Sequence, residues 1–279
     1  MSIGISIKKI TDNIPNEDSY HTEQDFIAIS DGAGGCGVFA HEWSEYLVNN
    51  LPINQPVKSY EELDKWVGGI WESFYQSHES IALKDYDCMF QSKFYAEGSC
   101  ASIAAVWRID SNHCHWMTYG DSVVFHYNKK TKKLEHSFTS LADFSKSPYL
   151  ISCKDPMQKE GFRTGSFTID DDSVVFACSD ALSHYVLMMY MVTDYDRYNQ
   201  ELAAIAKSQS TYSTMIGIAK SIDEVNFYID VIRKLENVVS SSEEDFARFI
   251  KELHERGLIE IDDYTLVFLK RDDEKCNIH

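Results

Sequence analysis

The segment 101–128 constrains the fold more than any other. It carries three runs rich in β-branched and aromatic residues: ASIAAVWR (101–108), HCHWMTY (His113–Tyr119) and SVVFHYN (122–128). Only residues 109–112 and 120–121 lie between them. A parallel crossover takes about a dozen residues or more, so these runs read as antiparallel neighbours. Similar runs stand at FIAIS (Phe26–Ser30), SVVFACS (173–179) and YTLVFLK (264–270). Helical spacing recurs in Phe39, Trp43, Tyr46 and Leu47, in Trp66, Ile70, Trp71 and Phe74, and in Phe246, Phe249, Ile250 and Leu253. Ser242, with Asp245 three residues on, reads as the N-cap of the last of these helices. The sequence therefore predicts an α+β fold, two antiparallel β-sheets packed as a sandwich with flanking helices. No repeat or low-complexity linker divides the chain, so residues 1–279 read as a single domain.

Composition narrows the function. Against 26 basic residues stand 44 acidic ones, a net charge of −18. That excludes a nucleic-acid surface and a polybasic membrane anchor. No apolar run reaches the roughly 18 to 20 residues of a membrane helix. The N-terminal MSIGISIKKI does not have the pattern of a signal peptide. The seven cysteines are odd in number and form no CxxC pair, and Cys100 and Cys178 lie in apolar runs. They read as free thiols of a cytoplasmic protein.

The most informative stretch is FIAISDGAGGCG. Gly32, Gly34 and Gly37 match the dinucleotide pattern GxGxxG between a strand and a helix. Asp31 counts against it, because a pyrophosphate needs backbone N–H groups there and no added negative charge. So does LPINQPVKS after the helix, which is not a second strand ending in a ribose-binding acid. The other reading is a cation site, in which Asp31 offers a carboxylate and glycine lets the backbone approach the ion. Glu17 and Asp18, Asp121, Asp180, and Asp262 and Asp263 also stand at strand ends or turns. A charge that closes a buried strand is costly unless paired or metal-bound, and convergence on shared cations accounts for all of them together. His113, Cys114 and His115 do not make a zinc site, because strand neighbours alternate faces and no second pair appears. No GxSxG elbow and no C-x5-R pattern occurs.

At these residues the sequence resembles the metal-dependent protein phosphatases of type 2C. Asn16-Glu17-Asp18 is similar to the family's N-E/Q-D block, and DGAGGCG from Asp31 to its DGMGGH block. Gly98-Ser99-Cys100-Ala101 resembles G-S-T-A, and Gly120-Asp121-Ser122 resembles G-D-S. Ser179-Asp180-Ala181 stands for S-D-G, and Asp262-Asp263-Tyr264-Thr265 for D-N/D-x-T. All the blocks occur in family order over nearly the whole chain. The resemblance implies a β-sandwich with the site at one end and two Mn²⁺ or Mg²⁺ ions there. It implies that Asp31 bridges both ions, that Gly32 offers its carbonyl to one, that Asp180 and Asp262 complete the other, and that Glu17 and Asp18 support the first through water. A hydroxide held between the ions would attack phosphorus in a phosphorylated protein substrate. Family members also hold a third ion, for which Asp121, Asp180 and His184, four residues after Asp180, are the corresponding positions.

The chain departs from the pattern at several points. Ala181 replaces a glycine and Cys100 a threonine. Asn13 stands where the family has a phosphate-holding Arg, which leaves Lys8 and Lys9 as candidates. Ala33 and Cys36 stand near the place of a family His, and His41 is close only in sequence. Residues 139–167 lack the family's usual features, so the substrate-covering flap is expected to differ. The expected function is a Mn²⁺/Mg²⁺-dependent serine/threonine protein phosphatase. The alternative is a pseudophosphatase, a phosphoprotein-binding regulatory module on the same fold.

Overall fold

The computed structural model describes residues 1–9, 14–208 and 210–270, so Asn13 lies outside the described residues. The strands are β1 (Ile3–Ile7), β2 (Ser19–Glu23), β3 (Phe26–Ser30), β4 (Cys100–Ala101), β5 (Ile103–Arg108), β6 (His113–Tyr119), β7 (Val123–Asn128), β8 (Lys133–His136), β9 (Ile151–Ser152), β10 (Phe162–Thr168), β11 (Ser173–Cys178) and β12 (Tyr264–Leu269). The helices are α1 (Ala40–Asn50), α2 (Tyr60–Asp85), α3 (Cys88–Glu97), α4 (Asp180–Thr193), α5 (Tyr195–Ser208), α6 (Ser210–Lys220), α7 (Arg233–Val239) and α8 (Glu243–Glu255). One sheet runs β1-β12-β11-β7-β8, the other β10-β6-β5-β3-β2, and β4 pairs with β9 in a short third ladder. Every strand pair among the described residues is antiparallel.

Alternation along the central strands builds the layers. Ile27 and Ile29 of β3, Ala104 and Val106 of β5, Val175 and Ala177 of β11 and Val267 of β12 meet in one apolar cluster between the sheets. The alternate residues face outward under helices. Phe26, Ala28, Ile103 and Trp107 pack against Trp43, Leu47, Leu63 and Phe74 of α1 and α2. Phe125, Phe176, Leu266 and Phe268 pack against Leu182, Val186, Leu235 and Ile250 of α4, α7 and α8. Both faces of these strands are buried, which is why they read as continuous apolar runs although they are antiparallel. Truncating a core ring such as Phe176, which is fully buried, costs about 3–5 kcal/mol.

Helix starts follow local chemistry. The Ser242 hydroxyl accepts the Asp245 amide at 3.2 Å, as the sequence predicts, and Ser59 and Asp87 cap α2 and α3 in the same way. One expectation changes: the run at 101–108 is two strands, not one. Ser102 interrupts it, because its amide donates to the Asp31 carbonyl at 2.8 Å and its hydroxyl meets that of Ser122 at 2.7 Å. Zinc is not served by the β6 trio, since Cys114 is buried between the sheets and His113 is exposed beside Asp110. Much of the segment 139–167 is anchored, with Leu141 in one core and Ile151, Cys153 and Met157 in the other.

Candidate active site

Strand register brings the acidic stretches to one end of the sandwich. Ser19 lies opposite Ser30, Ile103 opposite Tyr119, and Cys178 opposite both Val123 and Leu266. Glu17 and Asp18 precede β2, Asp31 follows β3, Asp121 turns β6 into β7, Asp180 opens α4, and Asp262 and Asp263 precede β12. All these positions therefore share an edge, although Asp31 and Asp121 are 90 positions apart in the chain.

Hydrogen bonds fix the frame. Asp263 is buried, and its two carboxylate oxygens each accept a backbone amide at 2.7 Å, from Lys9 and from Glu17. It is therefore a clamp on the N-terminal segment, which leaves Asp262 as the outward member of the pair. The Gly32 amide donates to the Glu17 carbonyl at 3.1 Å, and the Thr265 amide to the Ser179 hydroxyl at 2.9 Å. Gly32 is required by space, whereas Gly34 faces only the movable end of a side chain. A Cβ on Gly32 would meet the carbonyls of Glu17 and Ala40, and one on Gly34 would strike the Glu17 carboxylate. Phe39, just before α1, adopts φ 56°, a left-handed conformation that costs about 1–2 kcal/mol. Its ring is held among those of His78, Tyr86, Phe90 and Phe94.

The carboxylates act on one another. Burial, then the charges of Asp18, Asp180, Asp121 and Asp262, hold Asp31 well above the usual carboxylate range. Burial, then Asp121, Asp262 and Asp18, does the same to Asp180. Burial raises Asp18 to about 7 and Asp121 to about 6, and also raises Asp262 and Glu17. Both oxygens of Asp18 are buried without a hydrogen-bond partner. The hydroxyls of Thr265 and Ser179 oppose the rise at Asp18, and that of Ser179 also accepts the Thr265 amide at 2.9 Å.

Cations are few here. Lys9 Nζ lies 3.7 Å from Glu17 Oε2, whereas Lys8 is exposed. Sequence reading missed Arg163. Register places it opposite Thr118, close to the acidic edge. Its guanidinium donates to the Gly120 carbonyl at 3.0 Å and lies over the Phe138 ring. Burial lowers its pKa, and the charges of Asp143 and Asp121 oppose that effect. His184 is 2 % exposed, stacked on Tyr212 and edge-on to Phe144, and neither ring nitrogen has a partner. Burial lowers its pKa to about 4.

The donor set suits hard divalent cations. It consists of carboxylate and carbonyl oxygens, with an unpartnered buried carboxylate at Asp18 and glycine backbone alongside. Among the described residues no three acidic, His or Cys side chains already stand as a ligand cluster. The carboxylates ring the edge instead of converging on one point.

No family model and no curated protein matches the chain. Solved structures do match it over nearly full length. The catalytic domain of the serine/threonine protein phosphatase PstP, in complex with two manganese ions, aligns over 96% of this chain and 96% of its own, at TM-score 0.51 and 14% identity. The chain has the fold of the type 2C phosphatases. A bacterial serine phosphatase aligns at TM-score 0.51 and 11% identity, over 97% of this chain and 98% of its own. Phosphatase Stp1 from Staphylococcus aureus aligns at 0.50 and 10%, over 97% and 96%. The two-sheet architecture expected from sequence is thus that of a phosphatase fold. No helix among the described residues is long and apolar enough to cross a membrane.

Proposed function

We propose that the protein is a Mn²⁺/Mg²⁺-dependent phosphomonoesterase acting on phosphoserine and phosphothreonine in proteins. The observation that carries this reading is the gathering of Asp18, Asp31, Asp121, Asp180 and Asp262 at one edge, with their carboxyls driven toward protonation by burial and by one another. Such a set is unstable as bare anions and is stabilised by divalent cations. In this reading Asp31 would help to hold both ions and the Gly32 carbonyl one of them. Asp180 and Asp262 belong to one of them, and Glu17 and Asp18 support the other. Bound there, the ions would lower the pKa of a shared water and neutralise charge on the phosphoryl oxygens.

The remaining work falls to the chain. Asp263 holds Glu17 in place through its backbone amide. Arg163, on the rim beside Gly120, is a fork-shaped donor suited to the phosphoryl oxygens, in the role the sequence left to Lys8 or Lys9. Asp121 and His184 are the candidates for a third, weaker ion. His184 is within a helical turn of Asp180 and has both nitrogens unpartnered. A His184→Ala change should raise the Mn²⁺ concentration for half-maximal rate, and an unchanged value removes the third site.

The test of the main reading is hydrolysis of p-nitrophenyl phosphate and of a phosphothreonine peptide, with Mn²⁺ and with EDTA. Turnover with Mn²⁺ that EDTA abolishes is expected. Metal-independent turnover would overturn the reading. Phosphopeptide binding without turnover would favour the pseudophosphatase.

A further inference from the structure

Two thiols meet beside the Gly-rich turn, and the proposed chemistry uses neither. Cys36 Sγ and Cys100 Sγ are 3.7 Å apart, although 64 residues separate them in sequence. Cys36 is exposed on the turn that follows Asp31, and Cys100 is buried on β4. The backbones are already docked: the Ala33 amide donates to the Cys100 carbonyl at 2.9 Å, the Cys36 amide to the Ala33 carbonyl at 2.9 Å, and Gly32 bridges to Ala101. A disulfide needs an S–S length of about 2.05 Å, so the sulfurs must approach by roughly 1.7 Å. The turn can supply that movement. Gly35 has open space around its Cα, and Gly37 holds φ 125°, which glycine adopts without strain.

We infer that Cys36 and Cys100 form a reversible disulfide when a peroxide reaches the protein, tying the turn that carries Asp31 and Gly32 to β4. The Cys36 thiolate attacks one peroxide oxygen, the O–O bond breaks, and water leaves after proton uptake, which gives the sulfenic acid. The Cys100 thiolate then attacks the Cys36 sulfur. The S–S bond forms, the S–O bond breaks, and a second water leaves. Two thiols are oxidised by two electrons and one peroxide is reduced to two waters. Burial and the neighbouring Cys36 raise the Cys100 thiol to about 12, so the second step is the slow one and quickens with pH.

A competing partner exists. Cys153 is buried, accepts the Ser99 amide at 3.1 Å and lies near Cys100. It has no route to solvent comparable to that of Cys36, so the exposed sulfur is oxidised first.

The experiment treats the full-length protein with hydrogen peroxide, blocks remaining thiols by alkylation and maps peptides by mass spectrometry without reduction. A crosslink joining Cys36 to Cys100 is expected. It should be removed by dithiothreitol, absent in Cys36→Ser and in Cys100→Ser, and kept in Cys88→Ser and Cys153→Ser. Over-oxidised Cys36 with no crosslink, a Cys100–Cys153 bridge, or a Cys36–Cys36 bridge between molecules would each overturn the inference. This mapping needs no enzymatic activity, so it fails or succeeds independently of the phosphatase reading. The effect on rate does rest on that reading. Peroxide should lower Mn²⁺-dependent hydrolysis at least tenfold in wild type, reversibly with thiol, and leave Cys36→Ser unaffected. Full activity in the crosslinked protein would show that the bridge does not control the site.

Discussion

Aspartates edge both ends of the sandwich, and the two sets lie in opposite electrostatic conditions. At the end that holds the turns β2–β3, β5–β6 and β10–β11, three aspartates are satisfied by their own surroundings. Asp25 pairs with Arg108 at 3.1 Å. Asp110 accepts the Asn112 amide at 2.7 Å and faces His113, and these contacts lower its pKa. Asp170 accepts Ser173 and Asn128, with the same result. At the other end Asp18, Asp31, Asp121 and Asp180 are all raised. Residue type and local context match, since every one of these aspartates closes or opens a strand. The difference lies in the partners. Turn carboxylates have donors enough to lower their pKa, whereas at the proposed site burial and mutual repulsion outweigh the few donors present, such as the amides on Asp180 and Asp262, and a charge from outside is required.

The sharpest break in this comparison is charge removal at each end. Asp31→Asn should lower Mn²⁺-dependent hydrolysis by about three orders of magnitude or more, because one carboxylate serves both proposed ions. Asp170→Asn, in a turn at the far end, should leave the rate within twofold. Steady-state kinetics in saturating Mn²⁺ reads both. Equal effects would mean that the two ends do not differ in function.

Asp263 tests whether the site end also contains a structural aspartate. Its removal leaves the part-buried amides of Lys9 and Glu17 without that acceptor, at about 1–3 kcal/mol for each unsatisfied group. Asp263→Ala should therefore lose about 3 kcal/mol in urea unfolding. A loss below about 1 kcal/mol would show that those amides find water instead.

These examples also mark what the sequence can reveal. The central strands are legible because both faces are buried: Phe26 to Ile29 and Val174 to Cys178 are apolar at every position. The peripheral strands are not. SYHTE of β2 and FRTGSFT of β10 alternate weakly and bury little, so their assignment depends on the partner strand. The acidic blocks are legible because each sits at a strand end that the apolar runs define. Arg163 carries no motif and reaches the rim only through its register opposite Thr118. The split between Asp262 and Asp263 is equally hidden, because the amides that claim Asp263 come from the other end of the chain.

Arg163 gives a third and smaller test. If its guanidinium holds the substrate phosphoryl group, Arg163→Gln should raise KM and lower kcat/KM about tenfold to a hundredfold, with Arg163→Lys between. If it serves only to tie the Gly120 turn, the loss should appear as lowered thermal stability, with KM unchanged.

The smallest effect is the most direct measure of the raised carboxyls. A group whose folded pKa lies above its unfolded value stabilises the fold while protonated. That contribution is complete below the unfolded carboxylate value of about 3.9 and fades as pH rises through the folded one. For Asp18 the folded value is about 7, and Asp31 and Asp180 are also raised well above the ordinary range. Asp110 and Asp170 are shifted downward, so they are already ionised at neutral pH and add no slope there. His115, His136 and His184 are lowered by burial, so they weaken the fold as pH falls below about 6.5. The histidines still titrate in the unfolded chain near pH 6.5, so Asp18 is isolated by comparing wild type with Asp18→Asn over about pH 6.5 to 8, where the histidines contribute equally to both. In EDTA the melting temperature of the wild type should decline across that window relative to Asp18→Asn, by the equivalent of about 1 kcal/mol. Mn²⁺ binds the deprotonated carboxylates, so in saturating Mn²⁺ the decline should vanish or reverse. Asp18→Asn should flatten the EDTA curve, since an amide does not titrate. A decline of equal steepness with and without Mn²⁺ would show that the carboxyls at this edge do not take up the cation.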